Sequence, residues 1–90
     1  MLEFRKNLLD NILNAEEIIS IEPLIRESLK RMVANGTNTH LIARFVQRLD
    51  ADLKQELTLH KHQKEIANIQ NAMEVIKEIN FNDFSTVKTN

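Results

Sequence analysis

The sequence predicts an all-α protein, a small bundle of three or four amphipathic helices. One Gly and one Pro in 90 residues leave too few turn residues for a β-sheet fold, while 42% hydrophobic residues are enough for a core. The apolar side chains recur at the three- and four-residue spacing that gives a helix one apolar face. With four Phe and no Trp or Tyr, that core is expected to be almost wholly aliphatic. At this length we expect one helical domain, residues 1–80.

A periodic stripe of apolar residues predicts a first helix from about Leu2 to Ser20. Pro23 disfavours helical backbone in the residue before it, so the chain is expected to turn at Ile21-Glu22. Pro23 itself suits the first position of a second helix, because the backbone N–H at that position has no helical partner.

The second helix has the clearest pattern, a stripe that runs from Leu24 to Val33. It is predicted to end at Asn35-Gly36, where Gly can adopt the left-handed conformation that closes a helix. Thr37 or Asn38 is then expected to cap the following helix, because a short polar side chain can accept a bond from a free backbone N–H.

Residues 38–80 contain no Gly or Pro, yet their apolar stripe changes sides. On a wheel of about 100° per residue the two halves of the stripe lie roughly opposite each other. The first half is Ile42, Phe45, Val46, Leu49, Leu53 and Leu57, and the second is Ile66, Ile69, Met73 and Ile76. Two structures fit: a bend near residues 58–64, which gives four helices, or one continuous helix whose far half packs on a second subunit. The sequence leaves both open.

The C-terminal segment, residues 81–90, has no helical period and is predicted to be a frayed tail. Phe81 and Phe84 either fold back onto the bundle or serve as a short docking motif. We favour folding back, because two exposed Phe side chains are unfavourable in water.

No catalytic, metal or cofactor site is predicted. The lack of Cys removes thiolate ligands and thiol nucleophiles, and it fits a reducing cytoplasm. His60 and His62 are the candidate metal ligands, but residues two apart on a helix point about 200° apart and cannot share a metal ion there. The chain is therefore expected to be a non-enzymatic, cytoplasmic protein without a membrane-spanning segment.

The net charge of −1 conceals an uneven distribution. Residues 1–22 carry two basic and five acidic side chains, and residues 23–48 carry five basic and one acidic. The remaining residues carry five basic and seven acidic side chains. The basic middle either pairs with acidic neighbours within the bundle or binds nucleic acid. Under the second hypothesis the contact residues are Arg26, Lys30, Arg31, Arg44 and Arg48.

The amphipathic pattern of the predicted helices is the strongest indication of function in this sequence. The stripe left over when the first three helices close is Ile66, Ile69, Met73 and Ile76. It predicts a partner interface, and with it a small protein–protein interaction or assembly module that forms a homodimer. Nucleic-acid binding through the basic segment is the alternative.

Overall fold

A computed structural model describes residues 2–59 and 62–79, and within these ranges the chain is helical without any strand. The all-α bundle is thereby confirmed. The predicted tail, with Phe81 and Phe84, lies outside the described residues. The elements are α1 (Leu2–Leu13), a 3₁₀ turn (Ile18–Ser20), α2 (Ile21–Ala34), α3 (Thr39–Leu59) and α4 (Gln63–Glu78).

The long segment forms two helices, so of the two predicted solutions the structure adopts the bend. α3 ends at Leu59 and α4 begins at Gln63, after an extended His62 with ψ of 131°. α4 returns to pack against α3. Because the chain reverses there, both halves of the stripe can contribute to the core of one subunit, which a straight helix does not allow.

The first helix is shorter than predicted, because its end is fixed by a distant side chain. α1 ends at Leu13 and not at Ser20. The side-chain amide of Asn68 on α4 donates hydrogen bonds to the carbonyl oxygens of Leu13 (3.3 Å) and Ala15 (2.9 Å). In a continued helix those carbonyls would accept from N–H groups four residues later. Asn68 thus provides bonds that the terminal carbonyls of a helix otherwise lack.

The turn predicted at Ile21-Glu22 is also wrong, because both residues already belong to α2. Pro23 is the third residue of that helix and not the first. The first four N–H groups of a helix have no partner within it, so a Pro is tolerated throughout the first turn. Ile21 is completely buried in the core. The helix begins at this residue, two positions before Pro23.

The C-terminus of α2 is closed as predicted, at Asn35-Gly36. Gly36 has a φ of +86°, in the left-handed region. Its N–H donates to the carbonyl of Val33 at 3.0 Å, and the N–H of Thr37 donates to the carbonyl of Met32 at 2.9 Å. These two bonds form a Schellman motif.

Of the two predicted caps for α3, the structure uses Asn38. Its Oδ1 accepts a hydrogen bond from the backbone N–H of Leu41 at 3.0 Å, and its carbonyl accepts from Ile42 at 3.1 Å. Thr37 instead helps to close α2. Residues 35–38 therefore serve the end of one helix and the start of the next, which explains how so short a connection joins them.

We expect Gly36→Ala to lower the free energy of unfolding by about 1 kcal/mol. A Cβ at this position meets no atom within 4 Å, so the loss comes from backbone strain at positive φ and not from a clash. Gly36→Asn should cost less, because Asn tolerates the left-handed region better than Ala. Urea unfolding of the three proteins checks this order, and an Ala variant as stable as the parent would contradict it.

The core draws side chains from all four helices, and α4 packs against α1, α2, α3 and the 3₁₀ turn. Two further contacts join α1 to α3. Arg5 Nε donates to Asp52 Oδ2 at 2.6 Å, and the rings of Phe4 and Phe45 lie 5.6 Å apart in a tilted arrangement. The buried apolar residues are Leu8, Ile12, Ala15, Ile21, Ile25, Leu29, Met32, Ile42, Phe45, Val46, Leu49, Leu53, Ile69, Ala72, Val75 and Ile79.

Among the helices in residues 2–59 and 62–79, none combines the length and apolar character needed to cross a membrane.

Candidate functional site

The side of α4 that faces the core differs from the predicted stripe. It is rotated by about a quarter turn, and only one residue belongs to both sets. The buried residues of the helix and its C-cap are Asn68, Ile69, Ala72, Val75 and Ile79. Because Asn68 is polar and Ala72 small, an apolar stripe read from the sequence leaves both out and points in a different direction.

The four residues predicted as a partner interface therefore have different environments. Ile69 is completely buried in the core of its own subunit, so in this structure it presents no surface to a partner. That part of the prediction needs correction. Ile66 is half-buried, and Met73 and Ile76 are half-buried while packing against the core. Met73 and Ile76 leave part of their apolar surface exposed.

Met73 and Ile76 lie in a groove between α3 and α4, called here the α3/α4 groove. The groove has a volume of about 260 Å³, and Ala43 and Val46 of α3 complete its apolar floor. Val46 is buried and the other three floor residues are half-buried. The two antiparallel helices thus expose a narrow apolar strip that no described segment of the chain covers.

Polar side chains form the rim of the α3/α4 groove. On the α3 side these are Gln47, Asp50 and Lys54, of which Lys54 Nζ lies 3.1 Å from Asp50 Oδ2. On the α4 side the rim is Lys77, which makes no ion pair within the described part of the chain. The rim therefore offers one positive charge, next to apolar side chains, that has no counter-ion among residues 2–59 and 62–79.

A broader and more open depression covers the outer face of α4. Its volume is about 640 Å³, and it shares Met73 and Lys77 with the groove. Ile18 of the 3₁₀ turn and Leu57 of α3 contribute apolar edges, and Ala67 contributes a small one. Ile18 is 45% exposed. Met73 consequently lies at the meeting point of two partly apolar surfaces.

The depression at the start of α1 has a different character. Beside Phe4 and Leu8 it is lined by polar groups, from Asn7, Asp10, Asn11, Ser28 and Arg31. Water satisfies such groups as well as a partner does, so this surface offers less driving force for association than the α3/α4 groove.

The basic residues of the alternative hypothesis divide into two groups. On α2, Arg26 Nε lies 2.8 Å from Glu22 Oε2, and Lys30 Nζ lies 3.7 Å from Glu27 Oε2, so internal pairing accounts for both. The other three, Arg31, Arg44 and Arg48, are exposed. Nucleic-acid binding stays a prediction, and its signature would be an affinity that falls steeply with salt concentration.

The described residues hold no group of three or more His, Cys, Asp or Glu side chains able to bind a metal ion. Of the two candidate histidine ligands, His62 is exposed and immediately precedes α4, and His60 lies outside the described residues.

Sequence reasoning missed two features of this region. The first is Asn68, which is 1% exposed and connects α4 to α1. Its spacing of four from Ala72 and seven from Val75 was the available signal, but a polar residue is normally placed outside a core. The second is the contribution of Ala43 and Val46 to the groove, which depends on how two helices pack and has no local sequence pattern.

The chain matches no protein-family model, and comparison with curated proteins and with solved structures also gives no match.

Proposed function

We propose that this protein is a non-enzymatic helical interaction module that self-associates through the α3/α4 groove. The observation that supports this most is the exposed apolar strip formed by Ala43, Met73 and Ile76 over the buried Val46. Apolar surface at a helix–helix groove is a common docking site for a further helix. A second copy of the chain is the partner that the proposal names.

The dimensions of the groove favour a macromolecule over a small ligand. Its 260 Å³ is below the roughly 300–1,000 Å³ of typical small-molecule sites. The groove continues onto the outer face of α4 through Met73 and Lys77. A partner that follows α4 would therefore contact Met73 and Ala67, with the polar side chains of Gln70, Asn71 and Glu74 between and beside them.

The proposed association is weak and depends on concentration. Stable complexes usually bury about 1,200–2,000 Å² in total, and a strip this narrow is typical of a smaller, transient interface. Its energy would come mainly from aliphatic contacts, so it should change little with ionic strength. We also propose a cytoplasmic location, since a chain without Cys fits a reducing compartment.

Met73→Glu is the variant that tests the proposal. We expect the parent chain to show a rising mass with concentration in light scattering, and the variant to need at least about ten times more protein for the same change. The physical reason is that a carboxylate at the centre of the interface must lose its hydration when a partner docks. The fold should persist, because Met73 is only half-buried.

The control is Gln55→Glu, which also adds one negative charge at an exposed position of α3 and does not line the groove. It should associate as the parent does. A parent chain that stays monomeric at every concentration, or a Met73 variant that associates as well as the Gln55 variant, would overturn the proposal.

A further inference from the structure

Two exposed isoleucines lie next to two acidic residues in the segment between α1 and α2. Ile19 of the 3₁₀ turn is 79% exposed, and Ile18 beside it is also exposed. Glu16 and Glu17 precede them, and their exposed carboxylates make no ion pair within the described part of the chain. These four residues, called here the acidic turn, present apolar surface beside two negative charges.

A surface of the opposite charge lies near the start of α3. Leu41 is 47% exposed, and Arg44 and Arg48 are exposed without an ion pair among residues 2–59 and 62–79. At about 100° per residue the three side chains lie within an arc of about 60° of the helix. None of the three lines the α3/α4 groove. These residues, called here the basic patch, combine an exposed apolar side chain with two positive charges.

The acidic turn and the basic patch lie towards opposite ends of α2. The acidic turn directly precedes this helix, whereas Leu41 follows the short connection after it. The helix has 14 residues and is therefore about 21 Å long. This separation keeps Ile19 from reaching Leu41 of the same chain. A contact between the two surfaces therefore has to join two copies.

From these observations we infer that the basic patch is a second docking surface, and that its occupant is the acidic turn of another copy of the chain. Ile19 packs on Leu41, and the two carboxylates of the turn face the two guanidinium groups of the patch. Because the two copies contribute different surfaces, each added copy leaves one acidic turn and one basic patch free for the next. The contact does not depend on the groove proposed above, and it joins copies head to tail.

The two self-contacts should respond differently to salt. Ion pairs between exposed side chains weaken as salt screens them, whereas the aliphatic contact of the groove should change little. The head-to-tail contact is therefore tested at an ionic strength of about 0.01 M, where charges act over about 30 Å. The groove contact is tested at about 1 M, where they act over about 3 Å. Since the net charge is only −1, repulsion between whole chains is small even at low salt.

Intermolecular paramagnetic NMR locates the contact. Ser20→Cys carries a nitroxide label beside the acidic turn, because the chain has no other Cys and the Ser20 side chain makes no capping hydrogen bond. At low salt the labelled chain should broaden the amide signals of Leu41, Arg44 and Arg48 in unlabelled ¹⁵N chains. The same chain with a diamagnetic label is the reference. Broadening that spares these three signals would overturn the inference.

A mixing experiment tests whether two different surfaces meet. Ile19→Ser and Leu41→Ser are each made in the Met73→Glu background, and none of these chains should rise in mass at low salt as the Met73→Glu chain does. A one-to-one mixture should form complexes of two chains and no larger ones. In that mixture only the unchanged turn of one variant and the unchanged patch of the other form an intact contact. A mixture as monomeric as its components would contradict the head-to-tail arrangement.

The contribution of the charges is tested with Arg44→Gln/Arg48→Gln. We expect this variant to need at least about three times more protein than the parent for the same rise in mass at low salt. The matched control is Lys6→Gln/Lys64→Gln, which removes the same charge from two exposed positions outside both surfaces. Equal weakening in the two variants would show an effect of net charge alone and would overturn the inference.

The outcomes separate this contact from the groove. Association at low salt that survives Met73→Glu and is lost in both Ser variants would establish the head-to-tail contact, whatever happens at the groove. Association at about 1 M salt that Met73→Glu removes, with none added at about 0.01 M, would support the groove and refute this contact. A short DNA duplex that binds the basic patch of chains that never associate would also refute it.

Discussion

Replacement of Asn68 by Asp is expected to lower the free energy of unfolding by about 3–5 kcal/mol. In the parent, the Asn68 amide donates to the carbonyl oxygens of Leu13 and Ala15, at 3.3 and 2.9 Å. A carboxylate at this place has no proton to donate, so it brings a buried negative charge against two carbonyl oxygens. A domain of this size has a total stability of roughly 5–13 kcal/mol, so the variant should lose a large share of it.

Two further variants separate the effect of the buried negative charge on stability from the effect of losing the hydrogen bonds to α1. Asn71→Asp makes the same chemical change on the same helix at a half-buried position, and should cost much less. Asn68→Leu removes the donor without adding charge, leaves the Leu13 and Ala15 carbonyls unpaired, and should fall between the other two. Urea unfolding followed by circular dichroism gives the order. Equal midpoints for the Asn68 and Asn71 acids would show that the hydrogen bonds to α1 do not matter.

Ile69→Glu is expected to abolish folding, whereas Met73→Glu should leave it intact. Ile69 is completely buried, and an ionised carboxylate in an aliphatic core has neither water nor a partner. Met73, one turn further along α4, keeps one side open to solvent. The sequence pattern treats the two residues as equivalent, and the structure does not.

Circular dichroism and thermal melting of both variants check this contrast. Ile69→Val, which removes one methyl group, should cost only about 0.5–1.5 kcal/mol and shows that the site tolerates a smaller apolar residue. A cooperative melt of Ile69→Glu near the parent temperature would mean that Ile69 lies at the surface, and would restore the predicted four-residue interface.

Much of the fold follows from local patterns. The closure of α2 at Asn35-Gly36 is a local matter, since Gly36 supplies the left-handed conformation and the two Schellman bonds span only a few residues. The buried face of α3 also follows from spacing alone, because the stripe that includes Ile42, Leu49 and Leu53 is apolar without interruption.

The sequence predictions fail where a contact between residues far apart in the sequence determines the local structure. The end of α1 depends on Asn68, which is 55 residues from Leu13 in sequence, and no local feature of α1 indicates it. The buried face of α4 differs from its predicted stripe for the same reason, because the sequence alone does not distinguish a buried, hydrogen-bonded Asn from a surface one. The candidate groove could not be predicted for the same reason, since Met73 keeps part of its surface exposed only because α4 turns Asn68 inward.

The position of α4 in the chain has a consequence for how the protein is made. Of the described elements, α4 is synthesised last, and it packs against α1, α2, α3 and the 3₁₀ turn. Chains emerge from the N-terminus at about 5–20 residues per second. A nascent chain that stops before Gln63 holds three helices that contact one another but lack α4, so the parts of their inner faces that α4 covers stay exposed, and such surface attracts chaperones and favours aggregation. The core formed by the described elements therefore closes only after α4 has been synthesised, so its folding waits for the last of the four helices.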